Sequence, residues 1–268
     1  MRLLRLIVLL LLSAPCALLH AQQLEIGGHL GGAAYMGDLN LYNPIKVSGI
    51  AGGAFVKLNF NPHLGLGFHY NFGQIEADDA KSSYQQLRDR NLSFRSPLHE
   101  ISLLLDFNLF DLYAFNRKTR FTPFIFTGIG EVIFDPKTTY GNNDYKLKQF
   151  VTEGQASPYK GYALVIPYGV GLKYKLRSSW TLTAQLGYRT AFTDFLDDVS
   201  GVYAPTTAFA ASPDPATSAI LADRSGERTG IYLGQPGTQR GDFRKRDHYL
   251  FVGIGISYTF VSQKCFTF

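Results

Sequence analysis

The sequence predicts an all-β protein: an eight-stranded antiparallel up-and-down transmembrane β-barrel with a filled polar lumen. Apolar and polar residues alternate with a period of two over long segments, which is the pattern of strands with one apolar face. The connections between these segments alternate between long and short, as they do in outer-membrane barrels. An export signal precedes the first segment, so we expect the chain to leave the cytoplasm.

Residues 1–21 have the three parts of a signal peptide. The start is basic, residues 6–12 form an unbroken apolar run, and Ala21 ends a small-residue cleavage site. The apolar part is shorter than the about 20 residues that a membrane-spanning helix needs. We expect cleavage after Ala21 and a mature barrel of residues 22–268. Cys16 leaves a lipoprotein signal open, which Pro15 disfavours.

The mature chain is close to electrical neutrality. Without Arg2 and Arg5 it keeps 24 of the 26 Lys and Arg residues against 21 Asp and Glu, a net charge of +3. No basic cluster stands out, and this balance gives no electrostatic case for nucleic acid as a partner. Cys265 is the one cysteine left, so the sequence predicts neither an intramolecular disulfide nor a cysteine metal site.

Residues 180–193 show the alternation clearly. Trp180 and Leu182 fall on one face and Thr181 and Thr183 on the other. Each predicted strand is longer than the about 9–11 residues of a tilted membrane-crossing strand, and much longer than the about 5–6 residues of an average soluble strand. The predicted strands are residues 24–36, 46–60, 63–75, 94–110, 121–134, 161–177, 180–193 and 248–260.

The connections predict the orientation of the barrel. Outer-membrane barrels have short periplasmic turns and longer outer loops, so with eight strands both termini lie in the periplasm. The longest outer loop, 194–247, contains a segment (204–239) rich in Ala, Pro, Ser and Thr, which we expect to be a mobile excursion. The long connections are 37–45, 76–93, 135–160 and 194–247, and the short ones are 61–63, 111–119 and 177–179.

The inward face of the predicted barrel carries charges of both signs in equal number. An eight-stranded barrel has room inside only for its own side chains, and buried charges must be paired. A soluble barrel with an apolar interior would show the opposite pattern. The predicted lumen network consists of Glu25, Glu100, Asp106 and Glu131 with Lys57, Lys173, Lys175 and Arg189.

No signature of catalysis, cofactor binding or metal binding stands at a useful spacing. None of the histidines has a His or Cys partner three or four residues away. Asp194, Asp197 and Asp198 could hold a cation but lack the spacing of a 12-residue calcium loop. We therefore predict a protein that is not an enzyme and that has no cofactor, no metal and no small-molecule substrate.

Several short segments, in order along the mature chain, resemble the PorG family of the Bacteroidetes type IX secretion system. Phe195 stands where that family usually has tyrosine, and residues 204–239 carry no resemblance. The segments are residues 34–40, 90–97, 152–155, 166–171 and 192–200, followed by Arg240-Gly241 ahead of the last strand.

The resemblance implies a non-enzymatic structural barrel of the outer membrane. It implies that outer-membrane lipid surrounds the barrel and that the partners are the periplasmic ring proteins PorK and PorN, whose ring it would help to anchor or assemble. A stand-alone surface-binding or adhesion barrel and a lipid-modifying barrel enzyme remain alternatives.

The outer loops contain the segments that carry this resemblance, although the implied partners are periplasmic. These loops either fold into a cap over the barrel or contact other parts of the machine, and local capping and docking remain open. The residues predicted as possible docking motifs are Gly37, Asp38, Leu39, Asn40, Thr152, Glu153, Gly154, Gln155, Asp194, Leu196, Asp197, Asp198, Ser200 and Tyr203.

Overall fold

The computed structural model describes residues 23–43, 45–112, 120–177 and 179–260. The expected signal peptide, Cys265 and most of the second short connection lie outside this part of the chain. Eight long strands form the wall, and a short hairpin of two more strands stands above it. The strands are β1 (Gln23–Met36), β2 (Val47–Asn59), β3 (Leu64–Asp78), β4 (Ser93–Asn108), β5 (Phe121–Phe134), β6 (Lys137–Tyr140), β7 (Asn143–Lys146), β8 (Tyr162–Lys175), β9 (Trp180–Ala191) and β10 (His248–Phe260).

The eight long strands close into an antiparallel barrel. Each pairs with the next in the order β1, β2, β3, β4, β5, β8, β9 and β10, and β10 pairs back with β1. The hairpin of β6 and β7 joins the wall through the pairing of Arg95 with Lys137. The predicted fold class is confirmed, and the predicted strand ends lie within three residues of the observed ones.

Short helices occur in the long connections. None of the helices in the described part of the chain is long and apolar enough to cross a membrane. They are α1 (Gln85–Arg90), α2 (Pro215–Ala222) and α3 (Ser225–Thr229), with three-ten turns at Asp79–Lys81, Leu147–Gln149 and Thr206–Ala211.

The outward side chains of the wall are large and apolar. Leu30, Ile50 and Ile254 are 74%, 70% and 66% exposed, and similar residues continue around the barrel on β3, β4, β5, β8 and β9. A protein in water rarely exposes so extensive an apolar surface. Lipid covers such a belt in transmembrane barrels, so the barrel is a membrane-spanning one.

Two charge clusters fill the lumen. In the first, Lys57 Nζ lies 3.2 Å from Glu25 Oε2 and 3.0 Å from Asp106 Oδ2. Lys173 Nζ lies 3.0 Å from the same Asp106 oxygen and donates a hydrogen bond of 2.8 Å to Asn108 Oδ1. Asp106 is therefore shared by two buried ammonium groups.

Glu100 is the centre of the second cluster and is completely buried. Its carboxylate accepts hydrogen bonds from Arg189 Nε at 3.0 Å, from the Tyr249 hydroxyl at 2.7 Å and from Asn71 Nδ2 at 2.9 Å. The Arg189 guanidinium also lies 4.5 Å from the centre of the Phe251 ring. A buried charge with this many partners is compatible with a barrel interior.

Glycine gives the large inward side chains their space. A Cβ atom on Gly27 would lie 2.5 Å from Cζ of Phe55, which is too close for any other residue. The Phe55 ring in turn stacks on the His69 imidazole, with ring centroids 4.9 Å apart. The interior is thus filled by side chains rather than left as a channel.

Two of the predicted lumen residues do not belong to the two buried charge clusters. Glu131 is exposed on the outer face of β5, because Phe124, Phe126 and Val132 take the inward positions of that strand. Lys175 points inward but only at the end of β8, where it is half-buried and donates to the carbonyl of Leu112 at 3.3 Å. The fully buried charges remain balanced, with Glu25, Glu100 and Asp106 against Lys57, Lys173 and Arg189.

We expect the substitution Asp106→Asn to lower the free energy of unfolding by about 3–5 kcal/mol, because it leaves two buried cations without their shared carboxylate. Urea titration of the barrel folded into lipid vesicles measures this loss. Glu131→Gln is the matched control, and its outward position predicts a change within about 1 kcal/mol. Equal losses in the two variants would contradict the assignment of Asp106 to the lumen network.

Candidate functional site

The four long connections fold together into one layer over one end of the barrel, the end that the loop lengths predict to be the outer one. We call this layer the outer cap and define it as residues 37–43, 79–92, 135–161 and 192–247. Its buried apolar residues, such as Leu39, Leu147 and Leu196, belong to the same core cluster as Tyr35 and Tyr249 of the wall. The cap is therefore packed on the barrel.

The segment 204–239, expected to be a mobile excursion, is instead folded into the cap. Asp214 caps α2 by accepting from the backbone N–H groups of Ala216 and Thr217 at 3.1 and 3.2 Å, and Pro215 starts the helix. Leu221 of this helix is 1% exposed. The expectation was wrong because a composition poor in large apolar residues still supplied a helix start and several buried side chains, including Phe209, Leu221 and Ala222.

Arg240 connects the third and fourth loops at the centre of the cap. Its side chain is buried, and it donates to Glu153 Oε1 at 2.8 Å and to the carbonyl oxygens of Asp198 and Ala222 at 2.7 and 3.0 Å. A guanidinium group is suited to this role, because its five N–H donors are fixed in one plane.

Arg90 connects the first, second and fourth loops. It donates from Nε to Asp79 Oδ2 at 2.6 Å, and it reaches the backbone carbonyls of Arg240 at 2.6 Å and Asp38 at 3.0 Å. The Asn91 residue that follows α1 adopts a left-handed conformation with φ of 59°, which ends the helix and turns the chain into β4.

Hydrogen bonds to Asp198 hold the third loop against the fourth. Asp198 Oδ2 accepts from the Thr152 hydroxyl at 2.5 Å, and Oδ1 accepts from the Tyr159 hydroxyl at 2.8 Å. The hydroxyl of Ser200 donates to Glu153 alongside. Burial raises the pKa of Asp198 to about 6, although the Arg240 guanidinium opposes this shift.

A group of carboxylates lies where the cap meets the top of the lumen. Asp197 accepts from the hydroxyl of Tyr35, and Asp247 Oδ2 accepts from the backbone N–H of Leu196 at 3.0 Å. Asp38 accepts from the backbone N–H of Asp242. This group, Asp38, Asp194, Asp197 and Asp247, is the acidic cluster.

The acidic cluster holds more carboxylates than the neighbouring cations can neutralise. Burial raises the pKa of Asp38 to about 7, with repulsion from Asp242 adding to the shift. Burial, followed by repulsion from Asp38, raises the pKa of Asp194 to about 7. Burial also holds the pKa values of Asp197 and Asp247 well above the usual range. The folded cap therefore favours the protonated forms of these groups.

Three members of the acidic cluster could bridge a cation. One carboxylate oxygen each from Asp38, Asp194 and Asp247 lies within 4.8 Å of the others. Such oxygens suit calcium or magnesium. Hydrogen bonds and protonation also account for the cluster. One oxygen from each of the three residues gives three ligands, fewer than the 6–8 oxygens that Ca²⁺ takes.

The structure brings the predicted docking motifs together but does not expose them. Every one of these residues is buried or half-buried in the cap. Asp38, Thr152, Leu196, Asp197 and Asp198 are 2% exposed or less. They hold the loops to one another, so local capping is the role that the geometry supports; docking stays a prediction.

Sequence reasoning did not single out Arg90 and Arg240, although both lie in segments that resemble the family. Their partners are 11 to 150 positions away along the chain. No local spacing signals such contacts. The one available sign was the pair Arg240-Gly241, which resembles the family and follows a segment, 204–239, that carries no resemblance.

A cavity of about 340 Å³ opens on the surface of the cap between the first, second and fourth loops. Asp38, Arg90 and Arg240 line its floor. Tyr42 and Tyr84 stand at its rim, 67% and 51% exposed, with ring centroids 4.8 Å apart. This is a surface on which the cap could meet another molecule.

Comparison with known proteins gives a family and several similar folds. The family model described as a domain of unknown function, DUF6089, matches residues 1–206. A search of curated proteins finds no match. The solved structures of similar fold include Neisserial surface protein A, with 10% identity over 90% of this chain and 100% of that one and a TM-score of 0.43.

Two other barrels show the same degree of similarity. The outer membrane protein OprG from Pseudomonas aeruginosa is 11% identical over 90% of this chain and 97% of that one, with a TM-score of 0.44. A major outer membrane protein from Thermus thermophilus is 14% identical over 90% of this chain and 100% of that one, also with a TM-score of 0.44. The fold assignment itself rests on the strand pairing described above.

We expect Arg240→Ala to open the cap without unfolding the barrel. The change leaves Glu153 buried without its guanidinium partner, which costs about 3–5 kcal/mol of local stability. Amide hydrogen exchange across residues 192–247 measures the opening. Arg228→Ala is the control, because Arg228 is exposed and its nearest carboxylate oxygen, on Asp89, is as far away as 3.8 Å. Equal loss of amide protection in the Arg228→Ala and Arg240→Ala variants would contradict the central role of Arg240.

The acidic cluster predicts a cap that loosens as the pH rises. Carboxyl pKa values of about 7 for Asp38 and Asp194 lie above the unfolded value of 3.8. The folded cap therefore binds more protons than the open one between about pH 4 and 7, and its stability falls as the pH rises through this window. A spin label can be attached to a Tyr232→Cys substitution in a Cys265→Ser background, because Tyr232 is an exposed residue of the fourth loop. This label should be more mobile at pH 8 than at pH 5.

Asp194→Asn should flatten this pH dependence, because it removes one charge from the cluster. Asp144→Asn is the control, since Asp144 is an exposed partner of Arg95 in the β6–β7 hairpin. Label mobility that is independent of pH in the unsubstituted cap would show that the cluster does not limit cap stability.

Proposed function

We propose that this chain, which belongs to the DUF6089 family, is a structural outer-membrane component of the type IX secretion system. In this role it helps to anchor or assemble a periplasmic ring at the outer membrane. The folded cap is the observation that carries the proposal. The resemblance to the PorG family supplies the identity of the secretion system and of the ring proteins PorK and PorN.

The convergence of the family-like segments in the cap supports the proposal. Residues 34–40, 90–97, 152–155 and 192–200 are far apart along the chain, yet Arg90 and Arg240 connect them within one buried network. Segments that resembled the family by chance would not be expected to meet in one buried network. Segments that are needed to build the same cap would be expected to do so.

The closed lumen also favours a structural role. Glu100 and Asp106 with their cationic partners occupy the interior, and the cap covers the outer end. A barrel of this size and filling has no passage for a folded or an extended cargo chain. Its contribution to secretion would therefore lie in holding other subunits in place.

The outer membrane is the membrane that suits this barrel. The expected signal peptide exports the chain, strands cross the bilayer, and the long loops stand together at one end. If the long loops face outward, an even number of strands puts both termini in the periplasm. The surfaces nearest a periplasmic ring are then the short turns, such as the one around Asn61 and His63 and the one at Arg177.

We expect deletion of the gene to stop the release of type IX cargo, with cargo retained in the periplasm. Expression of the full chain in the deletion strain should restore release, because the proposed role requires only that the barrel be present in the membrane. Measurement of cargo in the medium and in the periplasmic fraction tests this. Normal release from the deletion strain would refute the proposed role.

Crosslinking locates the contact surface in the same cells. A photo-activated amino acid at His63 should capture a ring protein, and the same amino acid at Tyr84 on the cap serves as the matched control. Capture of PorK or PorN from Tyr84 and not from His63 would contradict the proposed orientation.

The cavity on the cap favours a second candidate, a surface-binding barrel. Tyr42, Tyr84 and Leu233 are at least half exposed around its opening and form an apolar rim above a polar floor. Adhesion lost in a Tyr42→Ala/Tyr84→Ala variant, with cargo release unchanged, would support this function instead. Activity as a lipid-modifying enzyme has no supporting observation.

A further inference from the structure

A short basic segment stands on the rim of the barrel, at the outer end of β10. Residues Phe243, Arg244, Lys245 and Arg246 are consecutive and all exposed, and Phe243 is 74% exposed. We call residues 243–246 the rim segment. The near-neutral composition concealed this segment, and the expectation that no basic cluster stands out was wrong at this position.

The rim segment is fixed to the upper ends of β9 and β10. Asp247, the residue after it, donates from its backbone N–H to the carbonyl of Thr193 at 2.9 Å and accepts from the N–H of Ala191 at 3.0 Å. At its other end, the backbone N–H of Arg244 donates to Asp242 Oδ1 at 2.6 Å, and the backbone N–H of Asp242 donates to Asp38 of the first loop. The segment is thus held at both ends and presents its side chains outward.

Aromatic side chains lie beside and below the rim segment on the outer face. The Arg246 guanidinium is 4.3 Å from the centre of the exposed Phe192 ring. The Tyr188 ring is 5.4 Å from His248 and 5.7 Å from Tyr168 on the neighbouring strands. Aromatic residues of this kind mark the boundary between the acyl chains and the headgroups.

The same boundary appears on the neighbouring strand. Lys160 Nζ stands 5.7 Å from the centre of the Tyr162 ring at the outer start of β8. Long cationic side chains at such a boundary keep their charge among the headgroups while their aliphatic parts contact apolar surface. The rim segment therefore lies at headgroup level, beside the bilayer and not above it.

The charges available there are positive. Arg244 Nε is 3.2 Å from Asp242 Oδ2, so part of its charge is neutralised. Lys245 is exposed, and Arg246 is turned toward Phe192 on the outer face. Asp247 is 1% exposed and its carboxylate belongs to the acidic cluster inside the cap. An anionic partner at the level of the headgroups complements this arrangement.

We propose that the rim segment, together with Phe192, binds the phosphate groups of a phosphorylated glycolipid in the outer leaflet of the surrounding membrane. Guanidinium groups make paired hydrogen bonds to phosphate oxygens, and Phe243 offers an apolar contact beside them. A lipid headgroup fits better than a nucleic acid or an acidic protein, because the site lies beside the bilayer. The inference rests on the outer-membrane placement in the proposed function and not on the secretion role.

The test is a titration of the purified full-length mature barrel, in a neutral detergent, with diphosphoryl lipid A. We expect R244Q/K245Q/R246Q to bind this lipid roughly a hundredfold more weakly, because each cation near an anionic lipid surface contributes roughly fivefold. Lipid A without its two phosphates should bind the unsubstituted protein weakly. Its affinity should not exceed that of the triple variant for intact lipid A.

The control K81Q/K146Q/R228Q removes the same charge from other exposed positions of the cap. Unchanged lipid A affinity in this control supports a specific rim site, and an equal loss overturns it. Inorganic phosphate that competes at the same concentration as lipid A would overturn the lipid assignment. If the triple variant fails to fold, K245Q alone should weaken binding about fivefold, and no change in K245Q overturns the proposal.

Cargo release separates this inference from the proposed function. A rim variant that loses lipid A binding while cargo release continues supports the lipid site as a separate property of the barrel. Tight lipid A binding by a protein whose deletion leaves release unaffected would refute the secretion role and leave the lipid site in place.

Discussion

The narrow interior of an eight-stranded barrel is the constraint on which the rest of this structure depends. Strands that show lipid their apolar side must turn their polar side inward, and the space inside admits only side chains. Every inward charge must then find an opposite charge within the barrel itself. Asp106 between Lys57 and Lys173, and Glu100 against Arg189, meet this requirement, and the buried charges of the lumen are equal in number for the two signs.

The outer cap meets the same requirement less completely. Arg90 and Arg240 neutralise Asp79 and Glu153, but the acidic cluster below them has no equivalent cation among the described residues. Protonation and backbone N–H donors replace the missing charge there. The lumen is therefore a permanently paired interior, whereas the cap depends on the state of its carboxyl groups. This difference makes the cap the part of the molecule whose stability depends on pH.

The strands of the barrel wall could be predicted from the sequence because the alternation of apolar and polar residues is local and repeats in every strand. Alternation fails only where both faces are apolar, as on β5, where inward Phe124 and Phe126 led to the wrong side for Glu131. The fold of the cap could not be predicted, because it depends on contacts between residues that are far apart along the chain. Arg240 reaches Glu153 across 87 positions, and no periodic pattern encodes a contact of that kind. The first α-helix within 204–239 has one start signal, Asp214 followed by Pro215, and the composition of the whole segment hides it.

Strained backbone conformations show that the cap is held in a specific conformation by its contacts. Val151, Gly154 and Asp198 all adopt left-handed conformations, with φ of 45°, 70° and 70°. This conformation is costly for a β-branched residue such as Val151, and such positions persist only where the surrounding contacts determine them. Val151 and Gly154 lie on either side of Glu153, and Asp198 is itself bound by Arg240 through its carbonyl oxygen. A loop that served only to close the barrel could relax this conformation, so the contacts around Arg240 hold the cap in one defined conformation.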